Sequence, residues 1–198
     1  MSKPSETGFI NWEPNLFFHP TSIDPFATHG IPIPTYGNYG GPGYTAGTMG
    51  GTTPLPPPNP LPMDALDAVF YEHDLVFQQF HDGVITDPAV LIQASVQLVL
   101  AASALTYTDP GSPNYDPAAG LYEGLGTLAV VSQLLVDTGA FPTLPPPVQE
   151  QIAIATQEAV TNFEAGLAAI PGEAGSLHGA LHVFEHKFAD TLPFDLMF

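Results

Sequence analysis

Proline divides this chain in two. Through residue 63 it recurs among glycines and aromatic residues, with no sustained hydrophobic period. Proline fixes φ and removes a backbone donor, so such a stretch builds neither a regular helix nor a central strand. It reads as an irregular arm laid over a core. Within it GNYGGPGYTAGTMGG is flexible by composition, and PLPPPNPLP favours polyproline II. Beyond residue 63 the prolines fall in connectors or first helical turns, and helical periods run between them.

The first helix begins near Asp64, after Pro62, with Asp64 or Asp67 serving the free N–H groups of its first turn. Leu66, Val69, Phe70, Phe77 and Phe80 share one face, and Gly83 ends it. Asp87 caps a second helix, with Pro88 in its first turn. It runs to about Leu105 and is apolar almost all round, which predicts a central position. The turn-rich TYTDPGSPNYDP leads to a third helix over about 117–138, stopped at Gly139. FPTLPPP connects to a fourth over about 146–169, ended by PGEAG, and a fifth is expected over about 175–191. Strand signal is slight. The expected fold is all-α: one domain over 1–198, with an N-terminal arm (1–35), a glycine-rich loop and Pro/Gly-rich insert (36–63) and a core of about five helices (64–198).

Asp and Glu total 20, against Lys3, Lys187 and no arginine, for a net charge of -18. That balance repels phosphate backbones and excludes nucleic acid as a partner. It opposes strongly anionic lipid surfaces and suits divalent cations. Without cysteine there is no disulfide and no thiolate zinc site. Residues 88–106 come closest to a membrane span, but Gln93, Ser95, Gln97 and Ser103 interrupt them, so a buried core helix is expected. MSKPSETGF lacks the apolar run of a secretory signal. The end, LPFDLMF, resembles the C-termini of bacterial type I secretion cargo, as does the lysine-poor, cysteine-free composition, so secretion without an N-terminal signal peptide is expected. The alternative is that Leu196 and Phe198 pack on the core.

Two segments carry chemistry: YGNYGGPG at 36–43 and PMDALDAVFYEHD at 62–74. They resemble the calcium loop, Y-G-x-Y-x-G-x-G, and the catalytic helix, P-x-D-x-x-D-x-C-C-x-x-H-D, of the calcium-dependent secreted phospholipase A2 family. Tyr36, Gly37, Tyr39, Gly41 and Gly43 fit the first pattern; Pro62, Asp64, Asp67, His73 and Asp74 fit the second. Val69 and Phe70 stand at the cysteine positions, as in a divergent, cysteine-free bacterial-type member. The resemblance implies a phospholipase A2-like helical domain that hydrolyses a phospholipid acyl ester. It implies that Ca²⁺ is bound by the carbonyls of Tyr39, Gly41 and Gly43 and the carboxylate of Asp74, and that His73 is the general base. The chemistry is coherent: Ca²⁺ takes about six to eight oxygens, backbone carbonyls included, and glycine lets a loop turn carbonyls inward. Adjacent residues on a helix project about 100° apart, so His73 and Asp74 are expected to flank one pocket without pairing. The charge favours a zwitterionic over an anionic phospholipid interface as substrate.

The chain departs from the pattern in three places. An insert at 44–61 is expected to act as a lid or lipid-contacting flap. Tyr44 and Met49 within it, and Trp12, Phe17 and Phe18 in the arm, are candidate membrane contacts, the last three reading better as a cover for the core. Phe77 stands where the family has a tyrosine near the base. The carboxylate that orients the histidine is open: Glu123 in GLYEGLGTLAVV, then Glu185, then Asp116. A buried Glu123 requires a partner; otherwise it lies on an exposed strip.

Three other readings compete. HVFEH, with His182, Glu185 and His186, spells the zinc motif of inverzincin peptidases, but no glutamate ligand follows, and His178 lies about 12 Å along the helix from His186. An HD-type phosphohydrolase finds no arginine to hold phosphate. A non-catalytic calcium- or lipid-binding helical module predicts calcium binding without turnover.

Overall fold

The structure is a computed structural model, and it describes residues 10–11, 17–18, 31–32, 34–41, 44–49 and 59–170. Gly43, Trp12, the fifth helix, Glu185 and the HVFEH segment lie outside these residues. The described chain is mostly helical, with four α-helices. They are α1 (Ala65–His81), α2 (Ala89–Ser103), α3 (Pro117–Ser132) and α4 (Pro146–Ala169). Six two-residue strands precede them, paired antiparallel: β1 (Ile10–Asn11) with β4 (Thr35–Tyr36), β2 (Phe17–Phe18) with β3 (Ile31–Pro32), and β5 (Tyr44–Thr45) with β6 (Thr48–Met49). The arm and insert were expected to be irregular. Two residues are too few to display an alternating period, so these pairings leave no pattern in the sequence.

Local chemistry sets the helix ends. Asp64 caps α1, its side chain accepting from Asp67 N at 2.8 Å. Asp87 accepts from Ala89 N at 2.9 Å ahead of α2. Asp116 caps α3 through Ala118 N and Ala119 N, with Pro117 in the first turn. Beyond α1 and α3, Gly83 (φ +74°) and Gly139 (φ +59°) take the left-handed conformation that ends a helix. Between Ser132 and Gly139 lies a π-helical turn, Gln133–Asp137.

The helix expected to be central is not the most buried. In α2, Ser95, Val96, Leu98, Val99 and Ala102 are buried, while Gln93, Gln97 and Ala101 are exposed. In α3 every residue from Ala118 to Leu125 is buried, and so are Thr127, Leu128, Val131 and Ser132. The difference lies in small residues. A Cβ on Gly124 would stand 2.4 Å from Ala159 O, and one on Gly166 would stand 2.6 Å from Leu121 Cβ, so α3 and α4 approach nearly backbone to backbone. Gly124→Ala is therefore expected to lower stability by about 1–3 kcal/mol through overpacking, measured by urea denaturation. Among the described residues, the helix long and apolar enough to span a membrane by length and composition is Pro117–Leu135, rather than 88–106. Its most apolar window has a mean hydropathy of 1.2 and is 72% buried in the protein, so its apolar surface is spent on the core.

Glu123, in the middle of α3, is fully buried, which overturns the exposed-strip alternative. Its carboxylate accepts from Thr127 Oγ1 at 3.0 Å and Asn162 Nδ2 at 2.7 Å. Burial raises its pKa above the ordinary carboxylate value, against the lowering effect of these two bonds, and the negative charge of Glu158 adds to the rise. A raised carboxyl pKa means that the folded state binds the proton more readily than the unfolded chain. The group's contribution to stability is thus full at acid pH and is lost as pH climbs through its own pKa. Glu123→Gln is expected to raise the melting temperature at neutral pH and to flatten this pH dependence in calorimetry, since the amide keeps both partners without a buried charge.

Candidate active site

The loop at 36–41 is built around one carboxylate. Asp67, fully buried in the first turn of α1, accepts from the loop and from the residue just ahead of the helix cap. Its Oδ1 accepts from Tyr39 N at 2.8 Å and Asn38 N at 3.0 Å, and its Oδ2 accepts from Asn38 N at 2.9 Å and Met63 N at 2.8 Å. Burial pushes its pKa up, and these backbone N–H groups pull it down, with burial the larger effect. Gly37 sits at φ +53°, and a Cβ there would stand 2.3 Å from Asp67 Cγ. Only glycine fits, for both reasons.

Tyrosines fasten the loop to the core. Tyr36 donates its hydroxyl to Asp64 and stacks on Tyr122, with ring centres 5.1 Å apart. Tyr122 donates to Pro34 O at 3.0 Å, and Phe70 meets its ring edge-on at 5.7 Å. The Tyr107 hydroxyl accepts from Leu66 N at 2.7 Å. Both ends of the insert are tied to the same loop. Gly47 N donates to Asn38 O at 2.8 Å and Tyr44 OH to Gly37 O at 3.2 Å. Tyr39 OH donates to Pro60 O at 2.6 Å and Asn38 Nδ2 to Leu61 O at 2.9 Å.

His73 and Asp74 follow Asp67 on the same helix and look in different directions. His73 is 15% exposed in its side chain. Its Nε2 lies 3.4 Å from Ser95 Oγ, and its ring lies against Phe77, with centres 4.3 Å apart. It lines an apolar groove of about 540 Å³ between α1 and α2, with Ala68, Val69, Val76, Val90 and Leu98. Asp74 is felt at the loop through its charge. Its charge adds to the effects of burial, Tyr71 and Asp67 that push the Tyr39 phenol up to about 12. The Asp74 Oδ1 is 3.9 Å from His73 Nδ1, beyond hydrogen-bond reach, as the helical projection anticipates. The Asp74 Oδ2 is buried and has no hydrogen-bond partner among the described residues.

His73 lines the groove, whereas Tyr39, Gly41 and Asp74 are not among its lining residues; Asp74 is linked to the loop by its charge at the Tyr39 phenol. The chemistry suits a hard cation: Asp74 offers a buried carboxylate oxygen without a partner among the described residues, and the loop offers backbone carbonyls. The Gly41 carbonyl accepts from Tyr44 N at 3.1 Å, which leaves it a second lone pair. Among the described residues no three His, Asp or Glu side chains form a metal-holding group; a site of carbonyls and one carboxylate has no such signature.

No described carboxylate orients His73 through its Nε2. Glu123 is committed to Thr127 and Asn162, and Asp116 to the α3 cap. The residue at Nε2 is Ser95, which in sequence only interrupts an apolar run. The clamping of the loop by Asp67 is not legible locally, since its loop partners Tyr39 and Asn38 lie 28 and 29 residues away. No protein-family model, no curated protein and no solved structure matches the chain.

Proposed function

We propose that the protein is a calcium-dependent, phospholipase A2-like hydrolase of phospholipid acyl esters, with a phospholipase A2-like arrangement of calcium loop and catalytic helix. One observation carries the reading: the Oδ2 of Asp74 is buried and, among the described residues, unpartnered, one residue from a histidine at the wall of an apolar groove. Tyr39, Gly41 and Asp74 would hold the Ca²⁺, with Gly43 assigned to the same set by the sequence pattern alone. Bound there, Ca²⁺ supplies a fixed positive charge for the oxygen of the ester carbonyl. The groove shelters an aliphatic chain from water. The neutral His73 imidazole takes a proton from the attacking water and later returns it to the leaving alcohol. Leu61, 84% exposed, and Met63 offer an apolar rim beside the loop for a lipid surface. The charge of -18 supports a zwitterionic interface as the substrate, and the likeness of LPFDLMF to type I secretion cargo supports an exported protein.

The test is fatty-acid release from phosphatidylcholine vesicles in calcium and then in excess chelator. Release is expected in calcium only, and slower on vesicles doped with anionic lipid. Equal release in chelator would overturn the calcium role. A second reading, a calcium- or lipid-binding module without turnover, draws on the lack of any described carboxylate at His73 Nε2. It predicts calcium binding in calorimetry with no release.

A further inference from the structure

The His73 ring is held at one nitrogen by a group that carries no charge. Ser95 lies on α2 with 3% of its surface exposed, and its Oγ is 3.4 Å from Nε2. The other nitrogen, Nδ1, is turned to the Asp74 side, 3.9 Å from Oδ1. Phe77 packs on the ring, with centres 4.3 Å apart. We propose that Ser95 is a positioning residue: its Oγ accepts the Nε2 proton of His73 and thereby directs the Nδ1 lone pair to the side of Asp74. The inference rests on the reading of His73 as general base.

A neutral imidazole carries one proton, and the partner of one nitrogen decides which tautomer is present. A hydroxyl oxygen at Nε2 can accept that proton, and this leaves Nδ1 as the base. If the serine donated instead, Nδ1 would carry the proton and have no lone pair for water. In the accepting arrangement the water is activated on the Asp74 side of the ring and the acyl chain lies in the groove. A serine also avoids burying a second negative charge next to Asp74 in a protein already at -18.

The succession Ser95, His73, Asp74 has the order of a nucleophile, a base and an acid. Here the hydroxyl cannot act as the nucleophile. It is buried within α2 and is not among the residues lining the groove, so an ester in the groove does not reach it.

The experiment uses the full chain labelled with ¹⁵N-histidine, as wild type, Ser95→Ala and Ser95→Thr. In imidazole ¹⁵N–¹H spectra of the neutral ring, the wild type is expected to carry its His73 proton on Nε2, slow to exchange with solvent. Ser95→Ala should lose that slow exchange while keeping its melting temperature, and Ser95→Thr should restore it. In calcium, Ser95→Ala should lower kcat about 10- to 100-fold with KM little changed. A wild-type proton on Nδ1, or exchange in Ser95→Ala as slow as in wild type, would overturn the proposal. So would covalent labelling of Ser95 by a fluorophosphonate. A wild type that releases no fatty acid would sink the phospholipase reading alone. Slow exchange lost in Ser95→Ala would then still support the Ser95–His73 bond.

Discussion

His73→Asn is expected to cut calcium-stimulated fatty-acid release by roughly 10²- to 10⁴-fold, the usual contribution of a positioned general base. Asparagine still reaches toward Ser95 and still fills the wall of the groove, but it offers no basic lone pair to water. Because the side chain is partly exposed and makes one long polar contact, the melting temperature should stay within a degree or two of wild type. Calcium affinity should also be unchanged, since Asp74 and the loop are untouched. Initial rates, circular-dichroism melts and calcium titration calorimetry on the same preparation separate these effects. The neighbouring Asp74→Asn should give the complementary result, with little calcium bound and little release from an intact fold. If His73→Asn kept wild-type rates, the base would lie elsewhere.

Asp67→Ala should do the opposite: damage the fold around the loop and, through it, the site. Three backbone N–H groups, from Asn38, Tyr39 and Met63, would lose their acceptor. A buried donor left unsatisfied costs about 1–3 kcal/mol, so a loss of roughly 3 kcal/mol or more is expected in urea denaturation. Calcium affinity should collapse although every proposed ligand remains. Gly37→Ala should reach the same end by another route. Its Cβ would strike the Asp67 carboxylate, and φ of +53° is strained for alanine. A variant pair with wild-type calcium affinity would mean that the clamp does not shape the metal site.

What could be read from the sequence was what is decided within a few residues. Asp64, Asp87, Asp116 with Pro117, and Gly139 mark helix ends because capping and chain reversal are local. The Pro145–Pro147 run likewise opens α4 where expected. What could not be read depends on residues far apart in the chain. That α3 rather than α2 is the buried helix follows from Gly124 meeting Ala159 and Gly166 meeting Leu121. Glu123 looked like a candidate to orient His73 because it is a lone carboxylate among apolar residues. Its partner Asn162 is 39 residues away, and no local pattern announces it. Ser95 was visible only as an interruption of an apolar run, and Asp67 only as a residue of the helix start, for the same reason.

Asp67, His73 and Asp74 share one helix, so the clamp of the loop, the base and the proposed metal carboxylate travel as a single rigid piece. Ser95 belongs to the facing helix, as does the opposite wall of the groove. Any separation of α1 from α2 that widens the groove also stretches the His73–Ser95 contact, while the loop and Asp74 keep their places. On the proposed function, entry of an acyl chain and alignment of His73 as base would therefore depend on one mechanical coordinate, the spacing between two helices.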